Sequence, residues 1–447
     1  MYKKSFYNLE IENFEDKKTL IYNSLTSSVG LMDSNGRKLY DNIENINIEN
    51  IDNDNDKNIF KILVDNGYII EKDIDELTLY KTAGRIMRYN NSYFGLTIAP
   101  TLDCNMACPY CFEEHPKLYM TKEVADNVVK FIEERIDKVK TKHLDIAWYG
   151  GEPLLNLDIL KYLSGKIIDL CEKENIEYSA FIITNGVLLT KEVAKVLKDC
   201  KITGAQVTVD GPKEINDTRR LLLNGASSFD IISKNLSVAK DYLHINVRCN
   251  IDKSNVDSIE YLQTYFKDLG VNMYVAPVTK INEVCNLIGD ECFTPYEFKD
   301  IEMQVLRDKV SHHNSIIDSI VPHTKPLGCG ALSNNAFVID PEGNLSKCWN
   351  HIGNKSKTVG NVETGELFNS VNNKWLTFEI DEKCEKCKFL PACGGGCPDV
   401  TLETGEAKCN HARFNSSEKI KILYDKYIEY KKNDLISQTK MLEEQYE

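Results

Sequence analysis

Three cysteines stand within eight positions of one short segment, residues 99–115, which reads APTLDCNMACPYCFEEH. The thiols belong to Cys104, Cys108 and Cys111, spaced C-x3-C-x2-C. A closed structural zinc site uses four ligands, usually as two C-x2-C pairs, so three thiols indicate a metal centre with one open position. They can hold three irons of a [4Fe–4S] cube and leave the fourth iron free to bind a small molecule. A zinc site with a distant fourth ligand such as His115 is the alternative.

The overall composition excludes several functional classes. The chain has 447 residues, 42% hydrophobic and 27% charged, which is typical of a folded protein long enough for two or three domains. Its net charge of −14 opposes sequence-independent nucleic-acid binding, which depends on positive charge. The N-terminal residues lack the apolar core of a signal peptide, and no segment approaches the ~20 apolar residues of a membrane helix. We therefore expect a cytoplasmic protein that binds neither nucleic acid nor membrane.

Fifteen cysteines in a cytoplasmic chain favour metal binding over disulfides, because that compartment is reducing. Ten of them fall in two clusters, the three described above and seven nearer the C-terminus. The second cluster consists of Cys329, Cys348, Cys384, Cys387, Cys393, Cys397 and Cys409. A zinc ribbon is one interpretation of this second cluster, since four-cysteine sets with C-x2-C spacing usually bind zinc.

Strand and helix patterns alternate from about residue 93 to residue 280. The six strand segments are FGLTIAPT, HLDIAWYG, EYSAFIITNG, GAQVTVDG, HINVRCNID and VNMYVAP. Amphipathic helical patterns lie between them, and the first two helices are expected to begin at Thr121 and Asn156. This alternation predicts an α/β fold with a parallel sheet, curved or closed like a barrel. Chemistry in such folds lies at the carboxyl ends of the strands, and the three-cysteine loop directly follows the first strand.

The remaining segments have weaker patterns. Residues 1–90 are acidic and combine short strands with a short amphipathic helix, which suggests a winged-helix-like module. Residues 294–313 look helical, and a hairpin is expected around residues 341–344. An amphipathic helix is predicted from about residue 416 onward.

The segment CNMACPYC resembles the signature of the radical SAM superfamily, C-x3-C-x-aromatic-C, with Tyr110 in the aromatic position. The second and third strands end in GGEP and TNG, which are similar to family motifs for S-adenosylmethionine (SAM). The resemblance spans about residues 93–280 and implies a partial (β/α)6 barrel. It also implies a [4Fe–4S] cluster coordinated with SAM, whose reductive cleavage yields a 5′-deoxyadenosyl radical. The residues implied as contacts to SAM or substrate are Tyr110, Gly150, Gly151, Glu152, Thr184, Asn185, Asp210 and Arg248.

Particular roles follow from the resemblance for five of these residues. Glu152 would accept a hydrogen bond from the methionine ammonium group, and Gly150 and Gly151 would let the backbone approach the ligand closely. Thr184 and Asn185 resemble family residues near the ribose and carboxylate. Asp210, at the end of the fourth strand, and Arg248, in the fifth, would make polar contacts with SAM or substrate.

The second cysteine cluster resembles the SPASM domain, C-x9–15-G-x4-C, gap, C-x2-C-x5-C-x3-C, gap, C. The family binds two auxiliary [4Fe–4S] clusters in such a domain. By resemblance, one cluster would be closed by Cys384, Cys387, Cys393 and Cys409. The other would be held by Cys329, Cys348 and Cys397. Its last iron would either stay open, able to bind a substrate thiolate, or be completed by Cys285, Cys292 or His323.

Proteins that combine a radical SAM core with SPASM mostly modify peptides or proteins. Several carry an N-terminal winged-helix-like element that captures the leader of a precursor peptide as an added strand. The resemblance therefore implies a maturase of a ribosomally synthesised, cysteine-rich peptide, like those forming sactipeptide or ranthipeptide thioethers. The radical would abstract a hydrogen from an acceptor carbon, a cysteine sulfur would join that carbon, and one electron would pass to the auxiliary cluster. An electron donor such as ferredoxin or flavodoxin is implied as a partner.

This interpretation divides the chain into five parts. They are a peptide-recognition domain at 1–90, the radical SAM core at 91–280, a bridging region at 281–324, a SPASM domain at 325–415 and a C-terminal helix at 416–447.

Two other functions stay open. An anaerobic sulfatase maturase, which forms formylglycine, resembles the core and SPASM region equally well. Those enzymes place an aspartate base after the second SPASM cysteine, where this chain has Trp349. A zinc-stabilised winged-helix regulator is the non-enzyme alternative, disfavoured by the acidic charge and the lack of a basic recognition helix. Arg219 and Arg220 either contact a substrate carboxylate or lie solvated in a loop.

Overall fold

The computed structural model describes residues 1–14, 18–46, 51, 53–278, 289–312, 320–410 and 412–444. The chain divides into two compact units. The first, which we call the barrel unit, consists of Arg88–Thr294 and Cys329–Glu379. The second, the mixed unit, consists of Met1–Met87, Pro295–Gly328 and Ile380–Glu447. The cysteine-rich region contributes to both units, and the functional boundaries expected from the sequence stay a prediction.

The mixed unit begins with short strands and helices. The strands are β1 (Tyr2–Lys4), β2 (Asn8–Phe14), β3 (Lys18–Asn23), β4 (Val29–Met32) and β5 (Ile69–Glu71), and the helices are α1 (Ser34–Asn42), α2 (Asp54–Asp65) and α3 (Glu76–Arg88). Strands β2, β3 and β4 form an antiparallel sheet, and β1 pairs with β5. Buried Ile21, Tyr40 and Ile69 join these elements in one apolar core.

Six parallel strands alternate with helices in the barrel unit, and this confirms the predicted α/β fold. The strands are β6 (Tyr93–Ile98), β7 (His143–Trp148), β8 (Glu177–Thr184), β9 (Ile202–Thr208), β10 (His244–Ile251) and β11 (Asn272–Pro277). The helices are α4 (Lys122–Val139), α5 (Leu157–Lys173), α6 (Lys191–Asp199), α7 (Lys213–Arg219), α8 (Phe229–Ala239) and α9 (Ile259–Leu269). Each strand pairs in parallel with the next. The segments that follow them therefore meet at one edge of the sheet.

The two predicted helix starts have different local causes. Thr121 caps α4 by accepting a hydrogen bond from the amide of Val124. Asn156 precedes α5, but its side chain makes no capping bond. It donates instead to the carbonyls of Pro100 at 2.9 Å and Met120 at 3.2 Å, and so fastens the loop after β6.

The predicted hairpin forms and also extends the barrel sheet. Strand β12 (Ala336–Ile339) pairs in parallel with β6 and antiparallel with β13 (Asn344–Ser346). Two short strands, β14 (Gly360–Asn361) and β15 (Gly365–Glu366), continue the sheet, and helix α11 (Ser370–Leu376) follows. The sequence predicted the hairpin but not its attachment to the barrel.

The rest of the mixed unit is largely helical. Its helices are α10 (Pro295–His312), α12 (Glu382–Glu385), α13 (Leu390–Cys393), α14 (Pro398–Thr404) and α15 (Ala412–Glu444). Helix α15 packs Ile420 and Tyr424 against Leu20 and Tyr22 of β3, as expected for a tail helix docked on the body. Within the described residues, no helix combines the length and the apolar character that a bilayer crossing requires.

Two helical glycines give a matched pair of stability predictions. Gly165 of α5 has open space where a Cβ would stand, so Gly165→Ala should raise the free energy of unfolding by about 0.5–1 kcal/mol. A Cβ on Gly84 of α3 would lie 2.5 Å from the Pro326 carbonyl oxygen, so Gly84→Ala should destabilise the protein. Denaturant midpoints of both variants against wild type test this. A Gly84→Ala midpoint at or above wild type would contradict the packing described for α3.

Candidate functional site

The loop that carries the three cysteines is closed on itself by backbone hydrogen bonds. Just after β6, the amide of Leu102 donates to Leu118 at 3.0 Å, across the base of the loop. The middle of the loop pairs with the segment after α7, where the amide of Ala107 donates to Leu221 at 2.9 Å. Main-chain hydrogen bonds therefore fix the thiol-bearing loop both at its base and in its middle.

The end of β7 contacts this loop through backbone alone. The amide of Gly151 donates to Thr101 at 3.2 Å, and the amide of Glu152 donates to Asp103 at 2.9 Å. A Cβ on Gly150, whose φ is +112°, would overlap the Thr101 carbonyl oxygen, and a Cβ on Gly151 would overlap that of Asp103. Glycine is thus required at both positions by close approach, and by backbone conformation at Gly150.

Glu152 joins the end of β7 to the end of β8. Its buried carboxylate accepts the Thr184 hydroxyl at 2.7 Å, the Asn185 amide at 2.7 Å and the Leu154 amide at 3.1 Å. Burial raises the pKa of this carboxyl, although the three donors act in the opposite direction. The structure thus gives Glu152 an internal role that the sequence did not reveal, and its contact with a methionine ammonium stays a prediction.

Asn185 connects the third strand end to the thiol loop. Its side-chain amide donates to the Asn105 side-chain oxygen at 2.6 Å and lies 3.9 Å from the Cys104 sulfur. The TNG turn therefore lies beside the cysteine motif.

Tyr110, the aromatic residue of the cysteine motif, is anchored by charged side chains. Its hydroxyl donates to Asp210, two residues beyond the end of β9, and accepts from Arg220 at 2.7 Å. The guanidinium of Arg219 lies over the Tyr110 ring, 5.1 Å from its centroid. Asp210 is fully buried and also accepts the Asn250 amide at 3.0 Å. The acid expected to contact SAM or substrate thus holds the motif in place here.

One cavity of about 430 Å³ collects most of the predicted residues. The predicted residues that line it are Cys104, Cys108, Cys111, Tyr110, Gly150, Gly151, Thr184, Asn185 and Arg248. Arg220 lines it too and is buried rather than solvated in a loop, whereas Glu152 and Asp210 do not line it. Arg248 is oriented by donating to the Asn250 side chain at 2.8 Å.

Further lining residues include Trp349, Tyr149 and Glu113, which the sequence analysis did not assign to a site. Trp349 packs on Tyr149 with ring centroids 5.2 Å apart, and the Tyr149 hydroxyl donates to Glu113. Burial raises the pKa of both Tyr149 and Glu113. The only available signal was position, since Tyr149 precedes GGEP and Glu113 follows the last motif cysteine. His115 also lines the cavity, with Nδ1 3.2 Å from the Leu102 carbonyl oxygen.

The chemistry of this donor set fits an iron–sulfur cluster. Burial raises the pKa of Cys104 to about 12, and it also raises the pKa of Cys108 and Cys111. Metal binding would deprotonate all three thiols. Among the residues that the structure describes, no group of three or more His, Cys, Asp or Glu side chains could hold a single metal ion. In a cube each thiolate binds a different iron.

The second cysteine cluster divides between the two units. Cys329 and Cys348 belong to the barrel unit, and the other five belong to the mixed unit. Cys393 accepts hydrogen bonds from the backbone amides of Gly395, Gly396 and Asn410, an arrangement suited to a thiolate. Three consecutive glycines with positive φ, residues 394–396, shape this turn.

Of the three residues proposed to complete the second auxiliary cluster, one falls outside the described residues, namely Cys285. Cys292 is buried and forms a disulfide, so it is not a thiolate in this structure. His323 lies in the mixed unit.

Comparison with known proteins gives the following similarities. Residues 98–269 match the family model of the Radical SAM superfamily. A cysteine-type anaerobic sulfatase-maturating enzyme of Clostridium perfringens is 24% identical over 330 residues, which is 66% of this chain and 85% of that protein. The radical SAM cyclopropyl synthase TigE of Paramaledivibacter caminithermalis is 23% identical over 417 residues, 86% of this chain and 85% of TigE.

Two solved structures show a shared fold. The structure of native anSMEcpe with bound AdoMet and Cp18Cys peptide has a TM-score of 0.55 and 21% identity, and covers 76% of this chain and 98% of that one. Streptococcus suis SuiB bound to precursor peptide SuiA has a TM-score of 0.53 and 16% identity, and covers 91% of this chain and 98% of that one.

The bonds of Glu152 predict a large effect for a small change. A carboxamide in Glu152→Gln has one acceptor oxygen and would face its nitrogen toward at least one donor, leaving buried groups unpaired. We expect a loss of about 1–3 kcal/mol in the free energy of unfolding of the metal-free protein. Glu134→Gln is the control, because Glu134 is exposed and pairs only with Lys130 at 3.7 Å among the described contacts. Equal denaturant midpoints for the two variants would contradict the role given to Glu152.

Proposed function

We propose that this chain, which the match over residues 98–269 identifies as a radical SAM enzyme, is a peptide maturase. It would form thioether crosslinks in a ribosomally synthesised, cysteine-rich precursor peptide. The single observation that carries the proposal is the cavity in which three motif thiols meet the GGEP and TNG strand ends. When bound there, a [4Fe–4S] cluster and SAM would supply the 5′-deoxyadenosyl radical that removes a hydrogen atom from a substrate carbon.

The residues of the cavity have distinct tasks in this proposal. Cys104, Cys108 and Cys111 would ligate the cluster, while Gly150 and Gly151 leave room for close approach to the main chain. The two guanidinium groups described above, on Arg220 and Arg248, line the same cavity and would bind carboxylates of SAM or of the peptide.

A peptide substrate is supported by apolar side chains around the thiols. Phe112 and Trp349 line the cavity and are each 40% exposed. Leu221 and Leu223 are also exposed, on the segment that pairs with the cysteine loop. Exposed apolar side chains grouped near a site of reaction favour a large, partly apolar ligand over a small polar metabolite.

The N-terminal segment supports capture of a leader peptide. Strands β2 and β4 are the two edges of the three-stranded sheet, and an extended peptide can add to such an edge through main-chain hydrogen bonds. The similarity to TigE covers 86% of the chain, against 66% for the sulfatase-maturating relative. A partner that delivers electrons, such as ferredoxin or flavodoxin, belongs to the same proposal.

The seven C-terminal cysteines are proposed to hold two auxiliary [4Fe–4S] clusters in a SPASM domain. The first uses Cys384, Cys387, Cys393 and Cys409, all in the mixed unit. The second uses Cys329, Cys348 and Cys397 and is proposed on the sequence spacing alone. Its last iron would be open, or completed by His323 or Cys285.

A sulfatase maturase is the second candidate function. It is favoured by the sulfatase-maturating enzymes among the relatives and among the structures that share the fold. It is disfavoured by Trp349, which stands where the aspartate base of those enzymes is expected and packs on Tyr149. A neutral indole cannot accept a proton as a carboxylate does.

Replacing the three motif cysteines tests the enzyme assignment. The variant Cys104→Ala, Cys108→Ala, Cys111→Ala should form no 5′-deoxyadenosine when reduced with dithionite in the presence of SAM. It should also contain about four fewer irons per chain than wild type, since one cube is lost. Cys171→Ala is the matched control, because Cys171 is a buried thiol outside both cysteine clusters, and this substitution should leave both measurements unchanged. Cleavage of SAM by the triple variant would refute the assignment.

The product of the reaction separates the two candidate functions. Co-expression with a cysteine-rich peptide encoded beside this gene should yield a peptide that has lost two hydrogen atoms per crosslink. Its crosslinked cysteines should resist iodoacetamide, because their sulfur is no longer a thiol. Loss of two hydrogens with fully alkylated cysteines would indicate carbon–carbon bond formation instead. Formation of an aldehyde on a sulfatase-derived peptide would instead favour the second candidate function, a sulfatase maturase.

A further inference from the structure

A positively charged side chain contacts one of the four cysteines assigned to the first auxiliary cluster. Arg413, at the start of α15, donates from Nη1 to the Cys409 sulfur at 3.1 Å. Guanidinium groups form strong, charge-assisted hydrogen bonds to anionic acceptors. A thiolate at Cys409 would therefore be stabilised by this contact.

A second donor lies near the same cysteines and has no acceptor. Tyr7 is 1% exposed, and its hydroxyl is buried without a hydrogen-bond partner among the described residues. It packs with Tyr80 and Leu390 in an apolar cluster that also touches Cys384. Burial raises the pKa of Tyr7 to about 12, and the charges of Glu76, Asp75 and Cys387 act in the same direction. A buried hydroxyl without a partner is unfavourable, so this position favours an acceptor that arrives with the cluster.

The carboxylates near Tyr7 are already occupied. Glu76 accepts the Ser5 hydroxyl at 2.5 Å and the Phe6 amide at 2.8 Å. Glu385 pairs with Lys81 at 2.6 Å. Asp75 accepts the Thr78 hydroxyl at 2.7 Å. A sulfur atom of the cluster or of its ligands would give the Tyr7 hydroxyl an acceptor.

Direct contacts hold the N-terminal segment on the cysteine segment within the mixed unit. The Ser24 hydroxyl donates to the Lys388 carbonyl at 2.6 Å, and the Lys388 ammonium donates to the Asn8 carbonyl at 3.2 Å. Lys388 directly follows Cys387. Tyr7 is therefore kept close to this cysteine by its own neighbours.

We propose that Tyr7 and Arg413 donate hydrogen bonds to the sulfur atoms of the auxiliary cluster held by Cys384, Cys387, Cys393 and Cys409, and raise its reduction potential. The inference rests on the proposed function, because it requires that cluster. Reduction adds one negative charge, and hydrogen-bond donors or a cation beside the sulfurs stabilise the more negative state. Tyr7 would make the N-terminal segment part of the environment of the cluster.

The reduction potential of the auxiliary clusters tests the proposal. The background is the triple variant that lacks the three motif thiols, so that only auxiliary signals remain. In an anaerobic redox titration followed by electron paramagnetic resonance, Arg413→Gln should lower the potential of one cluster. At the parent's midpoint, the ratio of oxidised to reduced cluster should rise about tenfold, which is about 59 mV for one electron. Arg413→Lys should keep part of the effect, and Tyr7→Phe should cause a smaller shift in the same direction.

Controls distinguish a failure of this inference from a failure of the proposed function. Lys421→Gln removes the same charge eight residues further along α15 and should leave both potentials unchanged. If the background variant binds neither iron nor sulfide, the auxiliary clusters themselves are refuted. If it binds both but Arg413→Gln and Tyr7→Phe have the same midpoint potentials as the parent, only the inference about these donors fails.

Thermal stability gives a second readout for Tyr7. In the metal-free protein, Tyr7→Phe removes a hydroxyl that has no partner, so its melting temperature should equal or exceed that of wild type. In the iron-loaded protein the same change removes a hydrogen bond, so the melting temperature should fall. A decrease of the same size in both forms would show a purely structural role and overturn the proposal for Tyr7.

Discussion

The site depends on the contact between the end of β7 and the loop that carries the three thiols. This contact is made by main chain on both sides, through the amides of Gly151 and Glu152 and the carbonyls of Thr101 and Asp103. It has no space for a Cβ at the two glycines. Because no side-chain rotamer enters the contact, the thiols are placed relative to the strand ends by the backbone. The Glu152 carboxylate also accepts a hydrogen bond from Thr184 and so fixes the end of β8 relative to the same loop.

A set of buried charged side chains also fixes the thiol loop, through Tyr110. Asp210 and Arg220 are both buried and share the hydroxyl of Tyr110. Desolvating opposite charges contributes little net stability, and its attested benefit is a defined geometry. Here that geometry fixes the residue between the second and third thiols. Preorganisation of this kind is needed where a reactive species must meet one particular hydrogen atom of its substrate.

Sequence reasoning found the parts of this site that depend on order along the chain. Strand ends, the thiol spacing and the hairpin are all read from neighbouring residues, and each is present in the structure. It could place Glu152 and Asp210 at strand ends but not orient them, because side-chain direction depends on partners from other strands. Glu113 and Tyr149 belong to no motif with a recognisable spacing, so the sequence does not identify them as site residues. The pairing of β12 with β6 joins residues more than 200 positions apart, and no local pattern encodes such a choice.

The packing of the N-terminal segment on the cysteine segment has a thermodynamic consequence. Contacts such as Ser24 with Lys388 place the proposed peptide-binding strands and the proposed first auxiliary ligand set in one compact unit. Any free energy that a leader peptide would contribute by adding to β2 or β4 would then be shared with the segment proposed to hold the first auxiliary cluster. Linkage is reciprocal, so a cluster that orders this segment also favours binding of the peptide by the same factor.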